Sequence, residues 1–218
     1  MSREQYLREL GELKEQLVTM GEQVERSISM AVTALKDRDL ALAQSVVDGD
    51  TLINQSHLAI EQACIRLLAL QQPLARDLRE VTSTLKVITD LERMADHAVD
   101  IARVTIRLGG APLIKPLVDI PQMADLAQLM VREAIMSFVS ADSELAVVMT
   151  QRDHEVDHLH RRVIEDLHAL MAHDPSTVEQ GFQLMRVSSF LERIADHATN
   201  LGEWVVFVVS GVRLELND

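Results

Sequence analysis

Cysteine, glycine, proline and aromatic residues are all scarce in this chain of 218 residues, and each shortage removes a class of protein. With Cys64 as its one cysteine it can form no intrachain disulfide, which suits a reducing, cytoplasmic setting. Eight glycines and five prolines allow few turns, so the elements must be few and long. Aromatics make up 3%, while Leu, Ala, Val and Met abound, a composition that packs helix on helix rather than sheet on sheet. Basic residues are outnumbered 21 to 34, and the net charge of -13 repels nucleic-acid phosphates and anionic lipid head groups. Nucleic acid is therefore excluded as a partner, whereas cations and basic protein patches are suited. The longest apolar run, Trp204 to Val209, is far shorter than the roughly 20 residues of a membrane span. It is long enough to serve as a docking face. The opening MSREQYLREL is charged and amphipathic, without the apolar centre of a secretory signal, so the expectation is a cytoplasmic protein that meets membranes only through partners. No glycine-rich phosphate loop, nucleophile elbow or paired-cysteine motif occurs.

What is present is helical periodicity. Leu10, Leu13, Leu17, Met20, Val24, Ile28, Ala31 and Leu35 advance in steps of three and four, one stripe of a long helix. Charges at 36–39 interrupt it, and Asp39 is placed to cap a second helix reaching about Gln71, with Cys64 as a small core residue within it. Pro73 suits the first turn of a third helix ending near Leu108. Residues 109–121, with two glycines and three of the five prolines, read as a linker. The second half then offers helices from about Gln122 to Val139 and from Asp142 to His173, and a sixth from Asp174-Pro175 to about Ser210. The expected fold is all-α: six helices as two tandem pseudo-symmetric three-helix bundles, 1–108 and 122–218.

The halves are copies. LERMADHA (91–98) returns as LERIADHA (191–198), Asp39 and Asp50 as Asp142 and Asp153, Pro73 as Pro175, Asn54 as Asp157 and His57 as His160. On a helix, Ile88, Leu91, Ala95, Ala98 and Ala102 make the buried stripe, with Glu92, Asp96 and Asp100 along one flank. Glu192, Asp196 and Asn200 repeat that flank. Like charges at this spacing repel by a few tenths of a kcal/mol, so a compensating cation is required at the same place twice. Either arginines such as Arg93 and Arg193 supply it, or a metal ion does, since hard cations take carboxylate oxygens. Asp50 with Asn54, and Asp153 with Asp157, are the facing candidates on the second helix of each half. His97 and His197 fall on the opposite flank and are expected at the surface or at an interface.

Two other motifs lead elsewhere. His154-Glu155-Val156-Asp157-His158 matches the metalloprotease pattern H-E-x-x-H, but no third ligand follows and no strand is available to hold a peptide substrate. Glu155 to His158 has the spacing used by di-iron bundles, yet on one helix where such a site needs two.

At the repeated LERxADHA segments the chain resembles the PhoU family. The likeness rests on Glu92-Arg93-Met94-Ala95-Asp96 and Glu192-Arg193-Ile194-Ala195-Asp196, on the continuation His197 to Leu201, and on Asp50 and Asp153, and it spans nearly the whole chain. Three departures stand out: Ala95 and Ala195 replace a usual glycine, Asp100 a commoner asparagine, and Asn54 an acid. The last makes the first-half site the poorer of the two. The resemblance implies two three-helix bundles and a homodimeric, non-enzymatic negative regulator of the phosphate-starvation response. That regulator joins the ATPase subunit of a phosphate ABC transporter to a sensor histidine kinase. It also implies divalent or iron-type metal ions held by Glu92, Asp96, Asp100 and Asp50 and by Glu192, Asp196, Asp153 and Asp157. The competing expectations are a carboxylate-bridged helical metalloprotein with hydrolase or oxidase activity, and a structural dimerisation module using the 204–209 run.

Overall fold

The structure is a computed structural model in which residues 3–216 are described. It is all helical: α1 (Arg3–Asp37), α2 (Leu40–Gln71), α3 (Arg76–Leu108), α4 (Asp119–Ser140), α5 (Ser143–Thr150), α6 (Asp153–His173) and α7 (Val178–Ser210), with a 3-10 turn at Pro175–Thr177. No strand occurs among the described residues. All eight stripe residues of α1 are buried, as are Ile88, Leu91, Ala95, Ala98 and Ala102 of α3. Cys64 is buried too, and burial pushes its thiol up to about 12.

The duplication is visible in the caps. Asp39 accepts from the Ala41 and Leu42 amides at 3.0 and 2.9 Å, and Asp142 accepts from those of Glu144 and Leu145 at 3.0 Å each. Asp174 takes the Ser176 amide at 2.9 Å ahead of Pro175. Gly109 and Gly110, at φ 64 and 75, stand where only glycine adopts the backbone at little cost.

Three boundaries differ from the sequence expectation. The third helix starts at Arg76 rather than Pro73, because Gln72 turns left-handed at φ 45 and Ala75 also takes a positive φ of 50, outside the helical region. The fourth starts at Asp119, so Pro121 lies inside its first turn, where its missing N–H is harmless. The expected helix 142–173 is broken. Gln151 and Arg152 bond back to the Val148 and Met149 carbonyls at 3.3 and 3.0 Å, a tightened turn separating α5 from α6. The break lies where α5 closes onto α7: a Cβ on Gly202 would stand 3.2 Å from Met149 Cε and 3.5 Å from the Ala146 carbonyl oxygen.

Helices α1–α3 pack together, α4–α7 pack together, and the halves join through α3 against α7 and α1 against α4, so one hydrophobic core runs through both. Lys14 pins the seam: its Nζ lies 2.7 Å from Glu80 Oε1 and donates to the Val139 carbonyl at 3.2 Å. Removing it strands a carboxylate that is nearly buried. Lys14→Ala is therefore expected to cost about 2 kcal/mol, and adding Glu80→Leu to recover most of it. Chemical denaturation of both variants checks this, and equal losses in single and double variants would contradict it. The linker lies along the second half, with Gln180 Nε2 on the Pro112 carbonyl at 3.1 Å and Lys115 on Asp166 at 2.6 Å.

The run 204–209 is mostly core, since Val205, Val206 and Val208 are buried. Trp204 is half-buried beneath the Arg213 guanidinium, 4.6 Å from its ring, and meets Phe207 edge-on at 6.0 Å. No helix among the described residues is long and apolar enough to cross a membrane.

Candidate functional site

The repeated flank faces the second long helix of each half, and the two copies solve their charge problem differently. In the first, Asp50 Oδ2 accepts from Asn54 Nδ2 at 2.8 Å. Arg93 Nη1 lies 3.1 Å from Asp96 and its Nε 3.6 Å from Glu92, and Arg103 Nη1 lies 3.2 Å from Asp100. Burial and then Asp96 raise the Asp50 carboxyl, while Asn54 and Arg103 pull it back. Sequence reasoning named Arg93 but missed Arg103. Its place three residues after Asp100 was the available signal.

In the second copy Asp157 replaces the amide, and no ion pair to Arg193 forms among the described residues. Burial, then repulsion from Asp157 and Asp196, push Asp153 up to about 6 against a weaker opposing effect of His154. Glu192 is raised by burial, Asp196 and Asp157, with a smaller push from Asp153 and a pull from Arg193. Asp196 is raised by burial and Asp157, with His197 and Arg193 opposing. These four carboxylates thus feel one another across α6 and α7. Asp153 Oδ1 is buried without a hydrogen-bond partner.

Among the described residues, no group of three or more His, Cys, Asp or Glu side chains stands ready-made to hold a metal ion. The donor chemistry nevertheless suits a hard cation in the second half: oxygen ligands, an unpaired buried oxygen and mutual repulsion that positive charge would relieve. The first half suits it less, because Arg93, Arg103 and Asn54 already supply the compensation.

His97 and His197 lie in the contact between the halves. Their rings are 5.9 Å apart, His97 stacks on Phe190 at 5.6 Å, and His197 Nδ1 is 2.9 Å from Asp90 Oδ1. His154, Glu155 and His158 are exposed on the first turns of α6. Among the described residues one Ser–His contact exists, His160 Nδ1 to Ser188 Oγ at 3.1 Å. Ser188 is fully buried and donates to the Met185 carbonyl at 2.9 Å, so it offers no accessible nucleophile.

Comparison with known proteins matches the description "PhoU domain" twice, to residues 17–105 and 120–205, the two copies of the repeat. The chain belongs to the PhoU family. A relative from Clostridium acetobutylicum, named a phosphate-specific transport system accessory protein PhoU homolog, is 35% identical over all of both chains. One of the same name from Pseudomonas aeruginosa is 36% identical over 95% of this chain and 86% of its own. The crystal structure of PhoU from Pseudomonas aeruginosa superposes with a TM-score of 0.90 at 36% identity, covering 95% of this chain and 100% of that one. The PhoU structure from Streptococcus pneumoniae, titled a phosphate transport system regulatory protein, gives 0.89 at 29% identity over 96% and 99%. Fold, repeat and family thus agree, and each copy of the acidic motif lies inside a matched segment.

Proposed function

We propose that this chain is a cytoplasmic, non-enzymatic adaptor of phosphate uptake. In this reading it represses the phosphate-starvation response by joining the ATPase subunit of a phosphate ABC transporter to a sensor histidine kinase, and it acts as a homodimer. Full-length relatedness to accessory proteins of phosphate transport is the observation that carries this reading.

The acidic motifs are its regulatory element. Asp153, Asp157, Glu192 and Asp196 would hold a divalent or iron-type ion, with Asp50, Glu92, Asp96 and Asp100 as the weaker counterpart. When bound, such an ion supplies the positive charge that lets the carboxylates ionise side by side. The chain's own part is to keep Asp153 and Asp157 on α6 facing Glu192 and Asp196 on α7.

The test is a phosphatase reporter in phosphate-replete bacteria lacking their own regulator. Introducing this gene is expected to restore repression, and simultaneous alanine substitution at Glu92, Asp96, Glu192 and Asp196 to abolish it while the protein stays folded. A folded wild-type protein that leaves the reporter on contradicts the adaptor role. Full repression by the quadruple variant removes the motifs from it.

A further inference from the structure

In the first half α2 runs unbroken through Gly49, beside a groove of about 430 Å³ between α1 and α2. Buried Val46 and Ile53 form its floor, and Met30 and the exposed Leu52 its walls. Gln23, Ser27, Ser45 and Arg26 complete the lining. The repeat places Arg152 where Gly49 stands and Glu133 where Met30 stands. There, Arg152 Nε and Nη2 donate to Glu133 Oε2 and Oε1 at 2.9 and 3.0 Å, so the equivalent space between α4 and the start of α6 is filled by an internal ion pair.

Two observations bear on what the first-half groove could receive. A glycine inside a helix is destabilising relative to alanine, so it needs a packing reason. Gly21, Gly181 and Gly202 have one, since an added Cβ would meet neighbours at 3.0, 2.8 and 3.2 Å. Around Gly49 a Cβ would meet nothing within 4 Å. Gly11 is equally open, and what sets Gly49 apart is the groove it lines. Charge is the second observation. Although the chain carries 34 acidic residues, none lines this groove, whose charged residue is Arg26, and Arg26 has no ion-pair partner among the described residues.

We propose that the α1–α2 groove receives an amphipathic helix of a partner protein, with an apolar side chain seated over Gly49 and an Asp or Glu side chain reaching Arg26. The partner supplies from outside the carboxylate that Glu133 supplies to Arg152 internally. A cleft between two helices with an apolar floor suits a third helix, and the missing Cβ lets its backbone approach closely. This surface deepens the adaptor reading and rests on it for the existence of a partner.

Two synthetic helical peptides with the same leucine face, one flanked by glutamates and one by lysines, are titrated into the full-length protein by fluorescence polarisation. The glutamate peptide is expected to bind about tenfold more tightly than the lysine peptide. Gly49→Leu is expected to weaken it by about tenfold or more, and Arg26→Glu by about fivefold. Gly49→Leu should also raise the thermal midpoint by about 2 °C, since leucine is the better helix former. Equal affinity for both peptides, or affinity untouched by Gly49→Leu, overturns the proposal. So does a Gly49→Leu protein that sediments as a smaller species than the wild type, because the groove is then a contact between copies of this chain. In the reporter strain, repression by the wild type but not by Gly49→Leu supports the groove, and repression by both overturns it while leaving the adaptor reading intact. If the wild type itself does not repress, the adaptor reading fails and the peptide titrations alone judge the groove.

Discussion

Leu191→Ala is expected to destabilise the protein by about 3 kcal/mol, lowering the thermal midpoint by about 6–12 °C. Leu191 is fully buried in the core shared by both halves, so truncation leaves a cavity that surrounding helices cannot close completely. Its neighbour in the motif behaves in the opposite way. Burial and the adjacent carboxylates raise the Glu192 carboxyl, so Glu192→Gln removes a charge the fold does not favour and is expected to be neutral or stabilising. The contrast separates the two jobs of LERIADHA: Leu191, Ala195 and Ala198 hold the helix in place, and Glu192 and Asp196 carry the charge. Thermal unfolding of the two variants checks it, and a loss for Glu192→Gln as large as for Leu191→Ala would show that the carboxylate is structural.

The second large effect is pH-dependent. Asp153 titrates near 3.8 in the unfolded chain and near 6 when folded, so the native state binds its proton more tightly than the unfolded state. This penalty on stability is absent below about pH 4, grows between pH 4 and 6, and is complete above pH 6. With solvent screening of a half-buried group, it amounts to about 1–2 kcal/mol. Asp153→Asn is therefore expected to match the wild type near pH 4 and exceed it in stability above pH 6. Millimolar Mn²⁺ is expected to narrow that gap at pH 7.5 by stabilising the wild type more than the variant. Urea titrations across the range decide it; a variant less stable than wild type at pH 7.5 without metal would mean that Asp153 makes favourable contacts in the native state.

The helices were legible because their causes are local. Asp39, Asp142 and Asp174 cap where cap residues stand in the sequence, and the stripe from Leu10 to Leu35 is buried throughout. The break between α5 and α6 was not legible, since no proline or glycine marks positions 150–152. It accompanies a close approach to Gly202, some fifty residues further on in another helix. At the candidate site, the exchange of Asn54 for Asp157 was legible, and with it the Asp50–Asn54 hydrogen bond of one copy and the Asp153–Asp157 repulsion of the other. The engagement of Arg93 with both Glu92 and Asp96, while Arg193 forms no such pair among the described residues, depends on side-chain positions that the near-identical segments LERMADHA and LERIADHA do not reveal. The groove beside Gly49 was invisible for the same reason, because emptiness around a glycine is a property of the packed helices.

The continuous core across α1, α3, α4 and α7 has a consequence for what an adaptor of this build can do. Proteins joined by a flexible string gain only a raised local concentration of one another. Here the connecting segment is tied down and the halves share an interior, so two clients gripped on opposite halves would be kept at a set spacing and angle. The molecule would then work as a gauge, and what it would convey between such clients is geometry: a small repacking along the α3–α7 seam would tilt one against the other.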